Sequence, residues 1–182
     1  MLCAAGASAG TPAPAAYTSE GGYFSITLPS GWSKVPPGGA PASAKKIYGL
    51  DLLGPRSGAA PAPSITVKFY AGGNSLFKTA NDYVELNSKP FGKPAEGEQY
   101  SAVTGAALAG RKAFRFERKY TEYNKPRTVP PETTVMFERH VVLPARDGFY
   151  VLLFSAPFAD AKALLPQFDA VLKSFKPANP RK

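Results

Sequence analysis

The chain has 182 residues, carries 22 Lys and Arg against 13 Asp and Glu for a formal net charge of +9, and has a single Cys and a single His. That length suits one domain with a substantial core. One Cys excludes an internal disulfide, one His excludes a site built from several imidazoles, and the positive balance favours acidic partners or anionic surfaces.

Residues 1–20 are small and proline-punctuated, and read as a disordered leader or the remnant of a signal peptide. Ala7-Ser8-Ala9 has the A-x-A form of an export cleavage site, while Cys3 as a lipoprotein attachment point lacks the residues needed ahead of it. Export would place the protein in the periplasm or another extracytoplasmic compartment; a native start at residue 1 would leave it in the cytoplasm. No apolar run is long enough for a membrane span.

Structure is expected from Gly21-Gly22 onward, as one domain over 21–176 followed by a tail at 177–182. Residues 23–28 (YFSITL) alternate, with Phe24, Ile26 and Leu28 on the buried parity. Trp32 follows the Pro29-Ser30-Gly31 turn and is expected to plug one end of the core. A loop at 36–44 leads to a strand at 47–53, with Tyr48, Leu50 and Leu52 inward and Asp51 outward. After a second loop at 54–63 comes a strand at 64–70, with Ile65, Val67 and Phe69 on one parity. Residues 75–89 carry helical spacing, and Thr79 with Asp82 forms a capping box that starts the regular helix at Ala80. Pro90, Gly92 and Pro94 stop it.

A modest strand is expected at 100–107. Residues 112–120 (KAFRFERKY) then alternate sharply, with Phe114, Phe116 and Tyr120 inward and Arg115, Glu117 and Lys119 outward. Residues 121–132 read as a charged, proline-rich loop, because Pro126, Pro130 and Pro131 cannot donate to a sheet ladder. Residues 134–143 place Val135, Phe137, Val141 and Leu143 on one parity with Arg139, and Met136, Glu138, His140 and Val142 on the other. Residues 149–155 (FYVLLFS) are apolar on both parities, including Tyr150, so this strand is buried on both faces. The final helix carries one stripe from Ala161 through Phe168 to Phe175. Either Asp160 caps a helix that kinks at Pro166, or Pro166 opens a shorter one; the unbroken apolar spacing favours the first. The expected fold class is α+β, an α/β/α sandwich with a central antiparallel sheet of about six strands and helices on both faces.

The words GGYFSITLPSGW, AGRKAFRFERKY, RDGFYVLLFSAP and LKSF, in that order from Gly21 to Lys176, resemble the PsbP-like fold of photosystem II extrinsic proteins, Ran-binding Mog-type proteins and many small bacterial exported proteins. The family's aromatic strand, Pro and Gly-Trp fall on residues 24–28, Pro29, Gly31 and Trp32. Its hairpin glycine and tyrosine fall on Gly148 and Tyr150, and its closing Ser-Phe on Ser174-Phe175. The resemblance implies a protein that binds and stabilises protein partners without catalysis; the photosynthetic members support calcium and chloride retention. No metal or partner-binding residue of the family maps onto this chain.

The chemistry legible in the residues themselves is sparse. No Gly-rich phosphate loop is present. His140 with Glu138 two residues away on one strand face reads as a structural pair, with a small-ligand or hydrolytic cleft near His140 as the alternative. Glu96/Glu98 and Glu117/Glu138 are the near carboxylate pairs, and neither makes a calcium site alone. The basic run Arg111, Lys112, Arg115, Arg118, Lys119, Lys125 and Arg127 is a candidate docking surface for an acidic protein or an anionic, membrane-associated partner. The inward parity of Phe114 and Phe116 argues against nucleic acid. The reading is a monomeric, non-enzymatic accessory or scaffold domain with no cofactor, expected to bind another protein in the cell envelope; a photosystem II-type ion-retention role is a further alternative.

Overall fold

The computed structural model describes residues 15–39, 41–125 and 130–178. The calls on Cys3, Ala7-Ser8-Ala9, Pro126 and Arg127 lie outside them. In chain order come β1 (Ala16–Thr18), β2 (Phe24–Thr27), β3 (Ser33–Lys34), α1 (Ala42–Lys45), β4 (Ile47–Leu53), β5 (Ser64–Ala71) and α2 (Ala80–Asn87). There follow β6 (Gln99–Tyr100), β7 (Thr104–Leu108), β8 (Arg111–Lys125), β9 (Glu132–Ala145), β10 (Gly148–Pro157), α3 (Phe158–Ser174) and β11 (Lys176–Pro177).

The main sheet is antiparallel, in the order β3-β4-β5-β10-β9-β8-β6, with β7 also pairing β8. It has eight strands rather than about six, because the strand expected at 100–107 divides into β6 and β7 and because β3 adds a two-residue edge. A second sheet, β1-β2-β11, has three strands.

Strand β10 lies between β5 and β9, and its apolarity on both parities follows from that central place. Tyr150, Leu152 and Phe154 join Leu50, Leu52, Val67, Val141 and Leu143 in the larger core, which α3 covers with Ala161, Phe168 and Val171. Phe154 and Phe168 stack with ring centroids 5.6 Å apart. Phe24, Phe137 and Phe175 belong to this core too. Phe149, Val151, Val142 and Phe116 form a smaller core on the opposite face, under Ala80 and Tyr83 of α2. The fold is therefore α+β, with helical cover on each side of the main sheet.

Two glycines make the close packing around β5 workable. Gly49 of β4 has φ +144°, and a Cβ there would lie 2.0 Å from the Val67 carbonyl oxygen. Gly148 of β10 has φ +140°, and a Cβ would meet the Tyr70 carbonyl oxygen at 2.1 Å. Any side chain would have to push the strands apart.

Several expectations need correction. The ordered chain begins before Gly21: β1 pairs with β2, and Ser19 is buried, its Oγ accepting from the Phe24 amide at 3.2 Å. At the other end β11 pairs with β2 instead of starting a loose tail. Residues 121–125 continue β8 rather than opening a loop, since the first proline comes only at Pro126 and Thr121 and Tyr123 before it suit a strand. Helix α3 runs unbroken through Pro166 with Pro157, not Asp160, at its N-cap. Pro166 and Lys162, four residues earlier, are both exposed, so water can take the place of the missing donor. Trp32 is half-buried rather than enclosed. It rests against Gly54 at the sheet margin, and its indole Nε1 donates to Gln167 Oε1 of α3, which holds the ring near the surface. Phe114 is likewise half-buried, packed against the smaller core.

Candidate functional site

The basic run does not form one surface. Alternation along β8 sends Arg115 and Lys119 to the α3 face and Arg118 to the α2 face. Arg115 binds Glu117 at 2.8 Å, Glu117 also takes the Arg139 Nε at 2.8 Å, and the Lys119 ammonium sits 3.9 Å over the Phe158 ring. Burial alone would raise the Glu117 carboxyl, but Arg115 and Arg139 outweigh it and hold the group below its usual range. Lys112 is exposed near the start of the strand. Arg118 is turned into the protein, with its guanidinium 3.0 and 2.9 Å from Glu138. The sheet itself separates Glu117 from Glu138, so they are not a carboxylate pair.

Arg118 closes a polar chain beneath α2. Tyr83 Oη lies 3.0 Å from His140 Nδ1, and His140 Nε2 lies 3.2 Å from Glu138 Oε2. The imidazole stacks on Phe116 at 4.4 Å. The capping box places Tyr83: the Thr79 hydroxyl accepts from the Asp82 amide while the Asp82 carboxylate accepts from the Thr79 amide, fixing the helix start and hence its inward face. Burial tends to raise the Glu138 carboxyl, yet its hydrogen bond to His140 and the Arg118 charge carry it below the ordinary value. Burial pushes the Tyr83 phenol up. His140 is 2% exposed, and it lines none of the described clefts. In place of the expected cleft, His140 is enclosed by Phe116 and by Tyr83 of α2. The group has the residue types of an acid–base relay, but each member spends its hydrogen bonds on another, which is how buried polar chains fix a fold.

Open clefts lie elsewhere. A cleft of about 980 Å³ forms at the β9–β10 turn, lined among others by Tyr23, Phe69, Arg111, Arg146, Asp147 and Tyr150. Its floor is a packed aromatic array. The Tyr23 ring lies 4.6 Å from both Phe69 and Tyr48, and Tyr150 lies 4.8 Å from Phe69. The Tyr23 carbonyl accepts from Tyr150 Oη at 3.0 Å and from the Ala178 amide at 2.7 Å, tying the small sheet to the main one. The Gly72 amide donates to the Asp147 carbonyl at 2.8 Å, and Arg111 Nη2 donates to the Pro144 carbonyl at 2.6 Å, so both walls are braced. Burial raises the Tyr150 phenol, partly opposed by the nearby Arg111 charge. Exposed Arg111 and Arg146 give the rim its cationic character, with Asp147 beside them. Of these residues only Arg111 belongs to the predicted docking set, and Tyr150 to the predicted core. No group of three or more His, Cys, Asp or Glu side chains placed to hold a metal ion occurs among the described residues.

No protein-family model matches the chain, and no curated protein matches it in sequence. Solved structures do match. The solution structure of cyanobacterial PsbP (CyanoP) from Synechocystis superposes with a TM-score of 0.52 at 15% identity, over 97% of this chain and 99% of its own. The fold is PsbP-like. LpqN, which is involved in cell envelope biogenesis of Mycobacterium tuberculosis, gives a TM-score of 0.51 at 15% identity, over 92% of this chain and 87% of its own. A protein of Bacteroides thetaiotaomicron reaches 0.56 at 12% identity over 91% of this chain, which spans 48% of that protein. At such identities the likeness is one of PsbP-like architecture, and the work of the domain has to be argued from its own cleft. Among the described residues no helix is long and apolar enough to cross a membrane.

Proposed function

We propose that this PsbP-like domain is a non-catalytic accessory or scaffold of the cell envelope, which holds an acidic segment of a protein partner in the cleft beside Arg111 and Arg146. The observation that carries this reading is the contrast in placement. The acid–base side chains are buried and bonded to one another, whereas the accessible cleft offers cations, aromatic faces and braced backbone. Guanidinium groups suit carboxylates through paired hydrogen bonds, and the aromatic floor suits the apolar side chains of the same segment. Such a site selects by charge and shape, and contains no nucleophile with an activating base. The involvement of LpqN in envelope biogenesis and the A-x-A sequence near the amino terminus support an extracytoplasmic location.

The test is affinity capture from a native envelope extract with the wild-type chain and with Arg111→Glu/Arg146→Glu. The wild type should retain a stoichiometric polypeptide that the double variant loses, at an unchanged melting temperature. Equal retention by both chains, or turnover in a broad substrate screen, would remove the reading.

A further inference from the structure

Resting on the partner reading above, we propose that the acidic segment is an extended chain that crosses Gly72, running from the cleft beside Arg111 into a second cleft at the start of α2, where Lys78 is a further binding residue. The second cleft, of about 450 Å³, is lined by Lys78, Thr79, Asn81 and Pro144 among others. Gly72, Ala145, Arg146 and Asp147 line both clefts, so the two meet at the β9–β10 turn. Phe69 and Tyr150 place the first on the side of the larger core, and Ala80 places the second on the side of the smaller. Gly72 is the low point between them. Its φ lies outside the left-handed region, and a Cβ there would meet only the Asp147 backbone, at ordinary contact distances of 3.7 and 3.9 Å. Unlike Gly49 and Gly148, it is a glycine that neither backbone conformation nor packing requires. The missing side chain leaves the passage open to a second backbone. The Gly72 amide is already bonded to the Asp147 carbonyl, so the passage is braced.

Charge and shape select the occupant. The two linings together carry Arg111, Arg146 and Lys78 against Asp147. Just outside them Lys46 and Lys112 balance Glu20 and Asp82, so the positive excess stands. The start of α2 is no anion site by itself, because the Asp82 carboxylate already takes the Thr79 amide. A bilayer surface is flat and cannot enter clefts on two sides of one sheet. Among the floor rings, Phe69 and Tyr150 are buried and Tyr23 is flanked by Phe69 and Tyr48, so a nucleobase finds no open face to stack on. An extended peptide passes over the end of the sheet and sends alternate side chains to opposite sides, which lets carboxylates meet the cations while apolar groups meet the walls.

The test is fluorescence anisotropy of the full chain with two labelled peptides of alternating Glu and Leu. One has about four residues and spans about 13 Å, the other about twelve residues and about 40 Å. The wild type should bind the longer peptide about tenfold or more tightly, because the second cleft is engaged within the same complex. Added length alone raises attraction to a basic chain, so two variants decide the path. Gly72→Leu, which changes no charge, should erase most of that advantage. Lys78→Glu should reduce it and leave the affinity for the shorter peptide unchanged. Melting temperatures should hold, since both residues are exposed; if Gly72→Leu lowers its own, Lys78→Glu decides. Equal wild-type affinity for the two peptides overturns the proposal, as does an advantage that survives Lys78→Glu or a stably folded Gly72→Leu. If Arg146→Glu still weakens both peptides in that event, the first cleft keeps its role and only the path falls. Failure of both peptides to bind the wild type also overturns the proposal, while envelope capture decides the partner reading separately.

Discussion

Two clusters of polar side chains, one beneath α2 and one at the β9–β10 turn, use similar residue types to opposite ends. Under α2, Tyr83, His140, Glu138 and Arg118 are joined in a chain whose two carboxylate-side contacts are 3.2 Å and shorter, and water has little access. At the turn, Arg111 and Arg146 stand exposed over an aromatic floor that is itself rigid. The first cluster has the composition of an active site and the geometry of a structural staple. The second has no motif at all, yet its arginines stand open to solvent beside a cleft. Accessibility decides between the two where residue type would mislead.

The comparison is sharpened first by weakening the sheet that carries both regions. Phe154→Ala deletes a fully buried ring stacked on Phe168 and should cost about 3–5 kcal/mol in equilibrium unfolding. A loss below 1 kcal/mol, read by the same denaturation, would place the sheet-to-α3 packing elsewhere.

Glu138→Ala comes next. It leaves Arg118 and His140 facing each other without their shared carboxylate, and should cost about 3 kcal/mol. The acid limb of stability carries the same signature. Glu138 and Glu117 both titrate below their ordinary value of 4.5 in the folded chain. Their contribution is thus complete above that pH and is lost as pH falls through the lower folded values. Wild-type stability should decline there, and Glu138→Ala should show a shallower decline. A variant with the full wild-type slope would mean that Glu138 is not held by its partners.

Trp32→Ala should have the smallest effect of the three, about 2 kcal/mol, since the ring is half-buried and loses one hydrogen bond to Gln167. Thermal melts against the parent decide it. A cost equal to that of Phe154→Ala would restore Trp32 to the enclosed core.

Much of the fold was legible because it rests on local alternation. The spans of β4, β5, β10 and α2, the Thr79–Asp82 capping box and the double-sided burial of β10 all follow from period and propensity. The short strands β1 and β11 were not legible, for each is held only by its neighbour β2 and carries little pattern of its own. The docking set divides between two faces for a related reason. Reading Arg115 and Arg118 as neighbours ignores that adjacent parities of a strand covered on both sides meet different environments. The cleft could not be foreseen from one stretch: Tyr23, Phe69, Arg111, Arg146 and Tyr150 come from separate elements, and only the sheet order brings them together. The available hint was Gly21-Gly22 and Gly72 flanking aromatic strands, which marks room for backbone approach but names no ligand.

The most direct test of the contrast is a paired measurement on the partner recovered by affinity capture: binding affinity by calorimetry and melting temperature, for His140→Ala and for Arg146→Glu. His140→Ala should lower the melting temperature and leave affinity unchanged, while Arg146→Glu should keep the melting temperature and weaken binding by about tenfold or more. The reverse pattern, with His140→Ala abolishing binding and Arg146→Glu binding as the parent does, would contradict the account and move the working site beneath α2.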